Sequence, residues 1–384
     1  MVYRVGIMSM QRILNYGSSL QAYGLRRLIE GVDPDAEVRF VDYRPGPTLV
    51  APEGRRPPRT RFGRSAAKIR EYGSIDASWG DRLRFVNHKR AYAARNFPHL
   101  GIALTPVHDL PLHVLVIGSD EVFNCVQSNT NVGYSRDLFG HGSSARRLVS
   151  YAASFGNTTL EKIEQMGIAD ELRADLSRFD RLSVRDRNSA HIVQELTGTE
   201  PSINVDPVLA HDFMTAEARI PTGRLHDHPY LVVYAYPGRL TAEENSQLRR
   251  FADRRGLQVV AFGGPQSCAD RFIDCSPFEL LAWFRDAEAV VTDTFHGTIF
   301  AMINHRPFTT IVRKSSGHGY GNEEKISHLL ATFGLLHRAA TSLDDLDDLM
   351  DVPLDIAQLH TVTAREREKS ISYLTAAVER SAQR

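Results

Sequence analysis

The run Val290-Val291-Thr292-Asp293-Thr294-Phe295-His296-Gly297-Thr298 decides the fold class. An apolar, β-branched strand passes through a polar turn into a short helix, read over Gly297 to Asn304, that is apolar nearly all round. Such a turn lies at the carboxyl edge of a sheet, where open α/β folds bind ligands. N–H groups around Gly297 and Thr298 make the helix start a natural anion cradle. His296, at its lip, can pass a proton near neutral pH, with Asp293 to orient or charge-stabilise it. The same residues also read as a plain helix cap, from Asp293 or Thr294, beside a histidine satisfied by a backbone carbonyl.

The strand–turn–helix pattern recurs on either side. Tyr3 to Met8 reads as a strand, Ser18 to Glu30 as a helix carrying Leu20, Tyr23 and Leu28, and Val38 to Tyr43 as the next strand, a β-α-β opening that implies a parallel sheet. Val114 to Ile117 and Arg147 to Ala153 are buried strands that end in Gly118-Ser119-Asp120-Glu121 and Ser154-Phe155-Gly156. Leu182 to Val184 and Ile203 to Val205 add two more, with Asn188 able to cap the helix between them and Gly198 to end it. Past Thr215 to His228 a second set begins: strands at Tyr230 to Tyr236, Gln258 to Phe262, Ala289 to Thr292 and Pro307 to Val312. Capping boxes at Thr241-x-x-Glu244 and Ser276-Pro277-x-Glu279 start two of its helices. The expectation is an α/β protein of two unequal domains, residues 1–215 and 228–340. An acidic segment with a C-terminal helix from Thr363 (341–384) would pack back on the first.

Residues 44–98 hold thirteen basic and four acidic residues, a net 13 − 4 = +9, inside a chain of 384 residues whose 46 Lys+Arg balance 46 Asp+Glu. This stretch reads as an excursion from the sheet, either a solvated loop and helix or a basic wall guiding an anionic substrate. Overall neutrality argues against a protein built for a nucleic-acid backbone or a broadly anionic surface. Cys125, Cys268 and Cys275 are scattered and odd in number, so neither a disulfide framework nor a zinc site is indicated. With no signal peptide and no run of about 18 apolar residues, the expectation is a soluble, cytoplasmic protein, compatible with a peripheral station at the inner membrane face. Neither a dinucleotide nor a P-loop fingerprint occurs, and no HExxH or EF-hand loop, so no metal or resident cofactor is expected.

Other candidates stand at the ends of the first set of strands. In the loop Asn15-Tyr16-Gly17-Ser18-Ser19-Leu20-Gln21, glycine permits close backbone approach and the serines can cap a helix; it reads as either a cap or a contact surface. Arg185 can hold a carboxylate or phosphate in bidentate fashion, or pair with Asp186 or another carboxylate. Ser119 and Asp120 are similar candidates. Lys314 precedes Ser316-Gly317-His318-Gly319-Tyr320-Gly321, a flexible loop or a lid over an anion.

Six segments, in order, resemble the polysaccharide pyruvyl transferase family: Asn15 to Tyr23, Val116 to Asn124, Ser150 to Gly156, Ser183 to Asp186, Val205 to Pro207 and Thr292 to Gly297. The resemblance implies two Rossmann-like domains facing a cleft, similar to the B-type glycosyltransferase fold, with the acceptor on the first domain and the donor anion on the second. It implies transfer of a pyruvyl group from phosphoenolpyruvate, as co-substrate, to two hydroxyls of a sugar, glycolipid precursor or other polyhydroxylated acceptor, giving a cyclic ketal and phosphate. His296 takes the main acid/base role and Arg185 an anion contact. Many members carry an arginine two residues before this histidine, where this chain has Thr294. Arg185, Lys314 or Arg313 must then supply that charge, or the donor differs. A nucleotide-sugar glycosyltransferase and a non-catalytic glycan- or anion-binding relative are the alternatives.

Overall fold

A computed structural model describes residues 2–50, 75–314 and 322–380. The 316–321 loop and the 51–74 part of the basic excursion lie outside the described residues.

The first sheet is built from β1 (Arg4–Met8), β2 (Glu37–Phe40), β3 (Val114–Asp120), β4 (Arg147–Ala153), β5 (Ser183–Val184) and β6 (Ser202–Ile203), in the order β2-β1-β3-β4-β5-β6. The second contains β7 (Tyr230–Ala235), β8 (Gln258–Gly263), β9 (Arg271–Phe272), β10 (Ala289–Thr292), β11 (Phe308–Ile311) and β12 (Ala339–Ala340), ordered β12-β11-β10-β7-β8-β9. All neighbouring pairs are parallel. The central strands β3, β7 and β10 are apolar and almost wholly buried, as strands covered on both faces must be.

Each order contains one reversal of direction, between β1 and β3 in the first sheet and between β7 and β10 in the second. Crevices for ligands form at such switch points because adjacent connections leave toward opposite faces. After β1 comes α1 (Tyr16–Val32), and after β10 comes the helix Phe295–Ile303. The other helices that matter to the site are α2 (Trp79–Leu100), α3 (Arg187–Thr197), α4 (Ala242–Arg254) and α5 (Pro277–Arg285). With Phe295–Ile303 numbered α6, they are followed by α7 (Glu323–Thr332) and α8 (Ile356–Val378).

Side-chain caps set several boundaries away from the expected ones. Asn15 accepts a hydrogen bond from the Ser18 N–H at 2.7 Å, so Tyr16 and Gly17 belong to the first turn of α1 rather than to a loop. Thr294 does the same for Gly297, so α6 begins at Phe295 and His296 sits inside its first turn. The cap of α3 is Asp186, which accepts from Ser189, and not Asn188. Asp355 caps α8, which therefore starts before Thr363. Both expected capping boxes form, on α4 and α5.

The two sheets share one apolar cluster, in which Tyr16 and Leu20 of α1 join Tyr234 of β7 and Phe295 and Phe300 of α6. Helix α2 braces the second unit: Asp81 accepts from the Phe272 N–H at 2.9 Å and His88 meets Asp274 at 2.7 Å. Helix α8 returns to the first sheet, where the Tyr373 hydroxyl donates to the Ser150 carbonyl and that of Tyr3 to the Val378 carbonyl.

Candidate functional site

The two switch points face each other. Gly17, in the first turn of α1, lies so close to His296 that an added Cβ would collide with the imidazole ring. Gly297 is equally confined by Thr292 and Tyr234. Thr292 donates to the Tyr234 carbonyl at 2.6 Å and accepts from the Thr294 N–H at 3.0 Å, which clamps the turn between strand and helix.

Asp206, at the end of the segment that follows β6, is the carboxylate nearest His296. Its Oδ2 lies 3.5 Å from His296 Nε2, longer than a well-formed hydrogen bond, and 3.1 Å from Arg185 Nη1. Ser119 Oγ donates to the same oxygen at 3.4 Å. Arg185 also meets Asp120 at 3.6 Å and lies over the Phe295 ring at 4.5 Å, while Asp120 accepts from Ser18 Oγ at 2.7 Å. Burial alone would raise the Asp206 carboxyl; His296 and Arg185, with the Val208 N–H, outweigh it and hold the carboxyl below the ordinary range. The cluster thus joins the ends of β3 and β5, the start of α1 and the start of α6.

Several candidates take other parts. Asp293 makes no hydrogen bond to His296; its buried carboxylate has no hydrogen-bond partner among the described residues and lies 3.7 Å from Arg239, on the loop after β7. Burial raises its carboxyl against the opposing charges of Arg239 and Arg313. The carboxylate against His296 is Asp206 instead, because Asp293 points toward Arg239 on the loop after β7. The proposed cradle is also filled from within: the Gly297 N–H bonds the Thr294 hydroxyl and the Thr298 N–H the Thr294 carbonyl, at 2.9 and 3.2 Å. Thr298 Oγ1 bonds the same carbonyl and Thr310. Tyr16 donates to the Cys275 carbonyl at 3.2 Å, and Gln21 is fully buried, donating to Ser9. Arg185 pairs with Asp206 and Asp120 rather than Asp186, which caps α3 and accepts from Ser154. Arg313 is engaged by Glu244 at 2.9 Å; Lys314 is exposed.

Sequence reading missed Asp206 as the partner of His296, although an acid directly after a strand that ends beside Arg185 was the available signal. It also missed Glu121–Lys325, a 2.6 Å ion pair that ties the end of β3 to α7. Burial opposes the Glu121 charge, but Lys325 and Arg185 prevail and hold the carboxyl at about 2.

One space opens at the cluster and a second beside the cap of α1. A cavity of about 250 Å³ is bounded by Arg185, Arg187, Asn204, Phe295, His328 and Lys369. A groove of about 1230 Å³ runs from Asn15 and Tyr236 along α2, past Lys89 and Arg90 to Trp79.

Two Rossmann-like units of parallel strands with flanking helices, meeting at their switch points around an ionisable cluster, place the chain in the α/β class. The chain belongs to the polysaccharide pyruvyl transferase family, whose model matches residues 15–315. It is accordingly a transferase of polysaccharide pyruvylation. Comparison with curated protein sequences finds no significant match. Among solved structures it is similar to an O-GlcNAc transferase of Thermobaculum terrenum, at 15% identity and a TM-score of 0.41 over 98% of this chain and 66% of that one. A UDP-GlcNAc 2-epimerase of Neisseria meningitidis bound to UDP-GlcNAc is 6% identical, with a TM-score of 0.47 over 97% of this chain and 100% of that one. The glycotransferase of kitacinnamycin is 10% identical, with a TM-score of 0.47 over 98% of each chain. Among the described residues no helix is long and apolar enough to cross a membrane.

Proposed function

We propose that this protein transfers the pyruvyl group of phosphoenolpyruvate onto two hydroxyls of a sugar or glycan precursor, forming a cyclic ketal. The observation that carries the reading is the His296–Asp206–Arg185 cluster at the junction of the two switch points: a proton carrier, a carboxylate that orients it, and a cation for an anionic donor.

In the reaction, the first acceptor oxygen bonds C2 of the enol as C3 gains a proton. The bond from C2 to the phosphate oxygen then breaks, with its electron pair leaving on phosphate. The second hydroxyl adds to C2. Of the two hydroxyl protons, one balances the proton gained at C3 and the other leaves with phosphate. His296 carries the proton between hydroxyl and C3, and Asp206 steadies the imidazolium formed in between. Arg185 offsets charge on the donor, and placement of both substrates at one junction supplies much of the remaining acceleration. The long groove along α2, with an exposed tryptophan and several cations, suits a glycan of more than one residue. Three buried, unpaired cysteines agree with a reducing, cytoplasmic setting.

The test is His296→Gln, assayed for phosphate release and for the ketal methyl signal by NMR. Loss of both products with an unchanged melting temperature is expected; wild-type turnover overturns the assignment. Phosphoenolpyruvate should raise the melting temperature of the wild-type protein, and stabilisation by a nucleoside diphosphate instead would favour a glycosyltransferase.

A further inference from the structure

Thr294 stands where the family resemblance expects an arginine, Arg313 is engaged by Glu244, and the N–H groups of Gly297 and Thr298 are bonded internally. An anionic donor therefore needs cations from elsewhere. We propose that the donor's phosphate is held in the 250 Å³ cavity under α8 by Arg187 and Lys369, with Arg185 and Asn204 forming its floor; this rests on phosphoenolpyruvate as the donor.

Two of the residues that line the cavity carry buried donors without partners. Arg185 and Asn204 are 5% and 1% exposed, and neither Arg185 Nε nor Asn204 Nδ2 has a hydrogen-bond partner. Buried donors without acceptors are costly, and a bound anion removes that penalty. Above this floor, Arg187 at the start of α3 and Lys369 on α8 form no ion pair among the described residues, and both line the space. The acids nearby are already committed: Asp206 to Arg185 and His296, Glu366 to Arg365, and Asp186 to the cap of α3. His328, which also lines the cavity, is kept toward its neutral form by burial, with Arg187 and Lys369 adding to the effect against Asp186 and Glu366.

Size narrows the ligand. At about 250 Å³ the space falls below the roughly 300–1,000 Å³ of pockets for drug-sized molecules, which suits a three-carbon phosphate and not a nucleotide sugar. Asp206 borders the cavity and also contacts His296, so the cavity and the proton carrier share one carboxylate. His328 and Lys369 lie beyond residue 315, where the family match ends, so this chain supplies charge from its own C-terminal helix.

The experiment uses the full chain with Arg187→Gln, Lys369→Gln and the double variant, all on exposed side chains. Inorganic phosphate and phosphoenolpyruvate serve as separate probes in calorimetric titration, beside steady-state kinetics. Each single variant should weaken both anions and raise the KM for phosphoenolpyruvate by roughly tenfold, more than it lowers kcat, with Lys369→Arg restoring most of the loss. An unchanged KM in a double variant that still forms the ketal overturns the site and leaves the function standing. Phosphate binding that is lost in the double variant, in a wild-type protein that makes no ketal, upholds the site and overturns the donor.

Discussion

The starts of α1 and α6 are built alike. Each follows the strand at a switch point, each is capped by a side chain, Asn15 or Thr294, and each has an aromatic residue first in the helix. Each aromatic reaches across the junction: Tyr16 donates to the Cys275 carbonyl, and Phe295 lies under Arg185. The difference is what the glycine faces. Gly17 leaves room for the His296 ring, whereas Gly297 leaves room for Thr292 and Tyr234 of its own sheet. One helix start is a socket and the other carries the group that fills it, although local sequence makes them look interchangeable.

Breaking this asymmetry should have the largest effect. Gly17→Ala forces the imidazole aside and is expected to lower kcat at least about a hundredfold, since small misplacements of a reacting group are that costly. Its stability loss should be about 1–3 kcal/mol, as for other overpacked sites. Gly297→Ala should lose comparable stability, and equal activity losses in urea-matched assays of the two variants would erase the distinction between socket and carrier. Next comes Asp206→Asn, expected to reduce kcat by roughly ten- to a hundredfold by leaving His296 without its orienting carboxylate, with partial recovery in Asp206→Glu.

The Glu121–Lys325 pair sets a smaller, pH-dependent effect. Glu121 titrates at about 2 in the folded chain against 4.5 when free, so the unfolded chain binds protons first as pH falls. The stabilisation, about 3 kcal/mol, is present above pH 4.5 and disappears as pH falls from 4.5 toward 2. In Lys325→Met, urea unfolding between pH 3 and 7 should lose most of that dependence; an unchanged slope would remove the pair as a tie between the units. Smallest are the caps: Asn15→Ala and Thr294→Ala should each cost about 1 kcal/mol by thermal unfolding.

Elements with strong local signals were legible. The capping boxes at Thr241 and Ser276, the buried strands around Val116 and Val291, and the glycine that ends α3 appear where their sequences put them. The errors were also local in kind: Asn188 and Asp186 are both good caps, and only the actual turn brings the Asp186 carboxylate onto the Ser189 N–H. The placement of the site's side chains was partly legible: Arg185, Ser119 and Asp120 stand at strand ends and His296 in the first turn of the helix after β10. Asp293 lies toward Arg239 rather than against His296, since three residues of separation along a turn do not say which way a carboxylate points.

By itself the sequence determined two parallel α/β units, the approximate places of their longer strands and the family, because periodicity, caps and turn residues act over a few positions; the ends of β2, β3 and β6 and the short strands β9 and β12 were not legible. Tertiary structure alone decided that Asp206 lies against His296 across 90 positions, that Gly17 leaves room for its ring, and that α8 returns to border a cavity between the two units. Those pairings depend on how the two sheets dock, and docking is settled by the shared apolar core rather than by any one segment.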